Sequence, residues 1–188
     1  MCDNKTVGIE VWAVAADTEA IWLAGRDAWR DGPLKADTTV HFEVQRLLFE
    51  HGIDPDDALF VKLPEVIPPA EVLHSTSWRD AGPAVVLTYM AVVRARGYVL
   101  GMWPDAAPVT SALLAETGKP APHRAAQPPE PIRASDVLLH GLRHLKFQVG
   151  PWGDANIAAA MDRNWRRHLH ALKPALAGMY SEPHRAVA

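Results

Sequence analysis

The sequence predicts an α+β fold, in which a mixed or antiparallel sheet packs against helices, and three observations indicate it. Two pairs of apolar segments within the first 103 residues are each joined by a short polar turn, as in β-hairpins. Between them, the apolar residues of segment 38–52 recur at helical spacing. A proline-rich stretch then precedes two further helical patterns. Strands and helices that are segregated along the chain are typical of α+β domains.

The composition is that of a globular protein. The chain has 188 residues, of which 48% are hydrophobic and 22% charged, so it can bury a full core. The net charge of -3, with Lys and Arg scattered along the chain, provides no basic stripe for a phosphate backbone. We therefore expect no nucleic-acid partner. The single cysteine, Cys2, excludes an internal disulfide and a site built from several thiolates.

The first ten residues lack the apolar run of a signal peptide. No segment approaches the roughly 20 apolar residues that a membrane-spanning helix requires. We expect a soluble, cytoplasmic protein with no membrane partner.

Two hairpins account for the strands. The first spans residues 7–23 and turns at "ADTE"; the second joins "EVLHSTSWR" to "AVVLTYMAVV" through "DAGP". Ala84–Val93 is apolar on both faces apart from Thr88, which predicts a central strand covered above and below. A short strand is also expected at "ALFVKL", and a short helix at "APVTSALLAET" with Thr110 or Ser111 near its start.

The segment between the hairpins predicts a helix from Thr39 to His51, capped by Asp37 or Thr38 and ended by Gly52. Its apolar residues occupy two faces, so it should lie between the sheet and a second layer. One face carries Val40, Val44, Leu47 and Leu48, and the other carries Phe42 and Phe49.

The chain divides into three parts. Residues 1–118 form the α+β core, residues 119–135 are a proline-rich connector, and residues 136–188 form a C-terminal helical extension packed on the core. The extension holds two helices, "SDVLLHGLRHLKFQV", capped by Ser135, and "DANIAAAMDRNWRRHLHALK", which precedes Pro174.

The order of hairpin, helix ending in glycine, loop and apolar strand pair, over residues 7–103, resembles the Nudix hydrolases. That family's signature carries glutamates that bind Mg²⁺. Aligned on Gly52, the stretch "QRLLFEHG" keeps Leu47 and Glu50 but has Arg46 and Phe49 where the family has glutamates. Upstream, Asp31 stands at the family's glycine and Asp37 at its glutamate. The resemblance implies a Nudix-like domain that lacks the usual metal-dependent pyrophosphohydrolase residues.

No cofactor is expected, and two pairs of side chains are the candidates if a divalent metal binds. Glu43 and Glu50 would share one face of the predicted helix and offer oxygen ligands to Mg²⁺. His140 and His144, one helical turn apart, would offer two imidazoles to Zn²⁺, but the base of an HExxH motif is missing because Gly141 follows His140. The alternative for the two glutamates is a solvated helix edge, and the alternative for the two histidines is helix packing with surface hydrogen bonds.

The strand "HSTSWR" provides candidates for ligand binding. Strand alternation places His74, Thr76 and Trp78 on one face and Ser75, Ser77 and Arg79 on the other. An indole face and a guanidinium suit planar or anionic ligands, whereas cross-strand packing is the alternative. The ligand-binding candidates are Glu50, His74, Trp78 and Arg79.

Three functions remain open from the sequence. The first is an atypical Nudix-like domain that binds a small-molecule ligand or a protein partner. The second is a divalent-metal-dependent hydrolase of a nucleotide or phosphate compound. The third is a protein–protein interaction module that uses the C-terminal helices and tryptophans in loops: Trp29, Trp103 and Trp152.

Overall fold

A computed structural model of the chain describes residues 6–23, 40–43, 57, 69–80, 84–93, 107–109 and 134–172. These residues form one mixed sheet and three helices, which confirms the predicted α+β class. The strands are β1 (Thr6–Ala16), β2 (Ile21–Leu23), β3 (Val40–Glu43), β4 (Ala70–Asp80), β5 (Ala84–Val93) and β6 (Ala107–Val109). The helices are α1 (Ala134–Gln148), α2 (Ala155–Ala160) and α3 (Arg163–His170).

The described strands lie in the order β4-β5-β1-β2-β6, and β3 also pairs with β1. Both predicted hairpins are present, as the antiparallel pairs β1–β2 and β4–β5. β5 lies between β4 and β1 and runs parallel to β1, so it is a central strand as predicted. Both alternating sets of side chains on β1 are buried from Ile9 to Ala15, as expected for a strand that is covered on both faces.

The helix predicted from Thr39 to His51 is wrong at its start, because Val40–Glu43 is a strand. β2 pairs with β1 only at Val14–Ala16, and β3 pairs with the same side of β1 at Gly8–Val11. Backbone groups of a buried strand need hydrogen-bond partners, and this tertiary requirement overrides the helical spacing in the sequence. The remainder of the predicted helix, through Gly52, lies outside the described residues.

The stretch "APVTSALLAET" begins as a strand, since Ala107–Val109 pairs antiparallel with β2. Pro108 lies opposite Trp22 in a strand with one described neighbour, where the missing amide hydrogen of proline costs little. The rest of this stretch lies outside the described residues, as do "ALFVKL", Pro174 and connector residues 119–133. Residues 134 and 135 of the predicted connector belong to α1.

The three helices pack on the face of the sheet that carries Trp12, Val14, Met90 and Val92. Residues of the helices and of five strands belong to one cluster of buried apolar side chains, so this part of the chain has one hydrophobic core. The members from the helices are Val137, Leu138, Leu139, Leu142, Leu145, Ile157, Trp165 and Leu169, and Met161 and Leu172 join them from just beyond α2 and α3.

The second C-terminal helix was predicted as continuous, but the structure divides it into α2 and α3. Met161 has an extended backbone, with φ -79° and ψ 111°, and Asp162 caps α3 by accepting from the Trp165 amide at 2.9 Å. Met161 and Trp165 are both buried, so the apolar spacing continues across the break. The sequence pattern therefore gives no sign that the helix is interrupted. α1 begins one residue before its predicted cap, Ser135.

Within the described residues, no helix has the length and apolar character needed to cross a membrane.

Candidate functional site

A β-bulge at Thr76 interrupts β4. Ser75 lies opposite Tyr89 and Ser77 lies opposite Thr88, so Thr76 is an extra residue without a partner in the register. The Thr76 hydroxyl donates to the carbonyl oxygen of Thr88 at 3.2 Å. The bulge turns the Thr76 carbonyl away from the regular ladder and makes it available to α1.

His140 and His144 of α1 both use that carbonyl. Nε2 of His140 lies 3.2 Å from the Thr76 oxygen, and Nδ1 of His144 lies 3.1 Å from it. Because a carbonyl oxygen can only accept, each ring nitrogen donates. The four-residue spacing brings both rings to one face of α1, and the bulge supplies their common acceptor. Together they join α1 to β4.

Gly141 allows this close approach of the helix to the sheet. A Cβ atom at Gly141 would lie 2.5 Å from Sδ and 2.8 Å from Cγ of Met90, a fully buried residue of β5. A side chain at this position would push α1 away from β5. The glycine between the two histidines therefore has a packing role.

His74 is the third imidazole of this cluster, and it reaches the loop after α1 through Gln148. The Asp154 amide donates to Oε1 of Gln148 at 3.2 Å, which leaves the Gln148 amide nitrogen facing His74. That nitrogen lies 3.2 Å from Nε2 of His74. An amide NH₂ group only donates, so Nε2 of His74 must accept and the ring carries its proton on Nδ1.

Burial and neighbouring imidazoles keep the histidines of α1 neutral. Burial, followed by the charges of His74 and His140, lowers the pKa of His144 to about 4, although the hydrogen bond to Thr76 opposes this. The His74 and His144 rings meet edge to face with their centroids 4.9 Å apart. Burial also lowers the pKa of His140. The hydrogen bond to Thr76 opposes this lowering, and the charge of Arg143 adds to it. At pH 7 these two rings are neutral donors.

The loop between α1 and α2, residues 149–154, is closed by backbone hydrogen bonds between residues three positions apart. The Gly150 amide donates to the Phe147 carbonyl at 2.9 Å, and the Gly153 amide donates to the Gly150 carbonyl at 3.1 Å. A Cβ atom at Gly153 would lie 2.0 Å from the Gln148 carbonyl oxygen, so only glycine fits there. The loop is therefore held against the end of α1.

This loop presents Trp152 to solvent. The side chain is 87% exposed, the largest exposed fraction among the described large hydrophobic residues. We call residues 150–160, "GPWGDANIAAA", the Trp152 surface; their single charged residue is Asp154. The Asp154 carboxylate caps α2 by accepting from the Asn156 and Ile157 amides. Pro151, Ala155 and Ala159 are exposed beside Trp152 or on α2.

Glu10 is a fully buried carboxyl group on β1. Its Oε1 accepts from the Trp12 indole at 2.7 Å and from the Thr88 hydroxyl at 3.4 Å. Thr88 also accepts from the Thr76 hydroxyl through its carbonyl, so polar groups continue from β1 through β5 to the bulge. These hydrogen bonds satisfy buried polar groups across three adjacent strands.

A second contact joins α3 to the turn between β1 and β2. Asp17 forms the turn: its carboxylate accepts from the Glu19 and Ala20 amides and from the Trp22 indole. Nε2 of His168 donates to the Asp17 carbonyl at 2.8 Å. The His168 side chain is buried on the same face of α3 as Trp165 and Leu169.

The predicted ligand-binding residues do not all share a face. His74 lies opposite Met90 and Trp78 lies opposite Leu87, so the bulge between them turns Trp78 to the other side of the sheet. The predicted common face of His74, Thr76 and Trp78 is therefore wrong. Trp78 is 63% exposed. Arg79 lies opposite Val86 in the strand register, and Glu50 lies outside the described residues.

The predicted metal pairs have different outcomes. Glu43 is on β3 and pairs with Gly8, so it does not lie on a helical face with Glu50 as the sequence predicted. His140 and His144 do share a face, but both donate to one carbonyl oxygen. Among the described residues, no group of three or more His, Cys, Asp or Glu side chains has the geometry to hold a metal ion.

The roles of Thr76, Gln148 and Glu10 were not predicted from the sequence. Two signals were available: Gln148 ends the His140, His144 series at four-residue spacing, and Glu10 is a lone carboxylate in an apolar strand. The bulge at Thr76 has no comparable sequence signal, because "HSTSWR" has the alternation of a regular strand.

Comparisons with protein-family models, with curated proteins and with solved structures give no match for this chain.

Proposed function

We propose that this chain is a protein–protein interaction module and that the Trp152 surface is its contact. The observation that carries the proposal is the 87% exposure of Trp152 at the tip of a loop held by its own hydrogen bonds. Partners commonly bury a tryptophan of this kind as the anchor of an interface. Because the loop is already ordered, binding would cost little conformational entropy.

The surroundings of Trp152 support the same proposal. Charged residues are depleted at the centres of protein interfaces, and the single charge of the Trp152 surface is already bound to two backbone amides. Pro151, which precedes Trp152, and Ala155 and Ala159 of α2 add exposed small apolar side chains to the Trp152 surface. The matching partner is a protein with an apolar pocket that accepts an indole ring.

The other two functions stay predictions. A Nudix-like domain would bind its ligand at Glu50, His74, Trp78 and Arg79. The opposite orientation of His74 and Trp78 argues against a common site for these residues. The placement of Glu43 on β3 argues against the metal-dependent hydrolase, because that function needs Glu43 on a helix face with Glu50. A melting scan with Mg²⁺, Mn²⁺ and Zn²⁺ on untagged protein tests the hydrolase, because an ion bound only by the folded state raises the melting temperature.

The interaction proposal is tested with Trp78 as the matched control. Both tryptophans are exposed, but Trp78 lies on the opposite side of the sheet from the helices. A photo-crosslinking amino acid at position 152 should capture a defined protein, which mass spectrometry identifies, and the same amino acid at position 78 should not. The partner is then purified and its affinity is measured by calorimetry.

Trp152→Ala should weaken binding at least about 30-fold, which corresponds to roughly 2 kcal/mol for an anchor residue. Trp78→Ala should leave the affinity unchanged. Equal crosslinking from both positions, or a Trp152→Ala protein that binds with wild-type affinity, would contradict the proposal.

A further inference from the structure

The link from His74 through Gln148 to the Asp154 amide has a fixed hydrogen-bond polarity. The Asp154 N–H can only donate, so Oε1 of Gln148 is oriented toward it. The amide NH₂ of Gln148 must then donate to Nε2 of His74. Nothing in this chain of hydrogen bonds can be reversed while the Asp154 amide remains bound.

A second proton on His74 is incompatible with this link. Protonated imidazole carries N–H groups on both nitrogens, so Nε2 of His74 would then face the NH₂ of Gln148, donor against donor. If the Gln148 amide rotates to offer its oxygen to His74, its NH₂ group faces the Asp154 N–H instead. One of the two hydrogen bonds must break in either case.

Either break weakens the hold on the loop that carries Trp152, because the hydrogen bond to His74 orients the Gln148 amide whose oxygen accepts from Asp154. Gln148 is the last residue of α1 and Asp154 caps α2, so their hydrogen bond spans residues 149–153. We propose that the His74–Gln148–Asp154 link is a proton-operated device that holds this loop closed above the imidazole titration range and releases it below that range.

Cationic neighbours oppose further proton uptake within the histidine cluster. The charges that act on the two α1 imidazoles are cationic: His74 and His140 act on His144, and Arg143 acts on His140. Taking up a proton on one ring therefore opposes proton uptake by the next. The other titratable groups on the described residues of the packed elements are Lys146 on α1, exposed Glu71 on β4, buried Tyr89 on β5, buried Glu10 on β1, Asp154 at the start of α2, and Asp162, Arg163, Arg166, Arg167, His168 and His170 on or beside α3.

Amide hydrogen exchange, followed by nuclear magnetic resonance on the chain alone, tests the device. Between pH 7.5 and pH 5.5, the protection factor of the Asp154 amide should fall severalfold relative to that of Leu142 in the interior of α1, because a second proton on His74 breaks the hydrogen-bond link. Protection of Asp154 that follows Leu142 at both pH values would overturn the proposal.

Two variants separate proton uptake from general loosening. In Gln148→Glu, the carboxylate can accept from the Asp154 N–H and from protonated His74, so the Asp154 protection should be equal or higher at pH 5.5. In His74→Leu, the titrating ring is absent and the protection should not depend on pH. A fall of wild-type size in either variant would contradict the proposal. Neither measurement requires a partner, so the result is independent of the proposed interaction function.

Discussion

At the scale of single residues, the bulged residue Thr76 and the glycine at position 141 position the histidine cluster. Thr76 has no partner in the β4–β5 register, which directs its carbonyl to α1, and Gly141 has no side chain, which lets α1 approach β5. His140 and His144 occupy the two positions of α1 that reach the Thr76 carbonyl. The sequence predicted their common face from the four-residue spacing, but their acceptor depends on a bulge that no local pattern announces.

Replacement of Gly141 by alanine should destabilise the protein by about 1–2 kcal/mol, because overpacking against Met90 outweighs the helix propensity that alanine gains. Urea denaturation measures the change. Met90→Ala provides the control: the double variant should lose less stability than the sum of the two single variants, since the added methyl group fills the space left by Met90. A Gly141→Ala protein more stable than wild type would show that α1 is not held tightly against β5.

Protonation of His144 should destabilise the folded state in acid. Its pKa is about 4 when folded and 6.5 ordinarily, so between these values the unfolded chain binds more protons and the free energy of unfolding falls as the pH falls. The loss attributable to this group is at most about 3 kcal/mol. It is complete near pH 4 and absent above pH 6.5.

The variant His144→Gln keeps an N–H donor for Thr76 but does not titrate. Chemical denaturation at pH 7.5, 6.0 and 4.5 should give it a flatter loss of stability than wild type. His170→Gln, at an exposed position of α3, should follow the wild-type curve. Parallel curves for His144→Gln and wild type would refute the assignment.

At the scale of elements, a strand or helix was predicted correctly when its partners are close to it in the sequence. Both hairpins and the start and type of α1 followed from alternation, turn residues and helical spacing. β3 was missed because its partner, the first half of β1, lies about thirty residues earlier in the sequence, and β2 pairs only with the second half of β1. The break between α2 and α3 was missed because burial continues through Met161.

Asp162 determines where α3 begins, so Asp162→Ala should cost about 1 kcal/mol through loss of the hydrogen bond to the Trp165 amide. Thermal unfolding followed by circular dichroism measures the change. Asp162→Asn retains a side-chain oxygen acceptor and should lose much less. If the alanine and asparagine variants were equally stable, the carboxylate would not be acting as a cap.

At the scale of the whole molecule, the described sheet and helices share one core. Trp12 and Met90 from the sheet belong to the same buried cluster as Leu142 of α1 and Trp165 of α3. Two polar contacts reinforce this packing at separate places: the histidines of α1 on the β4 bulge, and His168 of α3 on the turn after β1. The helices therefore complete one face of the sheet.

This arrangement predicts that the sheet and the helices unfold together. Leu142→Ala removes a fully buried side chain of α1 and should cost about 2–5 kcal/mol. Far-ultraviolet circular dichroism reports the helices, and a fluorine label on Trp12 reports the sheet; both should give the same urea midpoint in wild type and should shift together in the variant. Because Trp12 lies on β1 and Leu142 on α1, a shared shift requires that the core couples them. Separate midpoints, with the Trp12 signal unchanged in Leu142→Ala, would mean that the helices and the sheet are stabilised independently despite their common cluster.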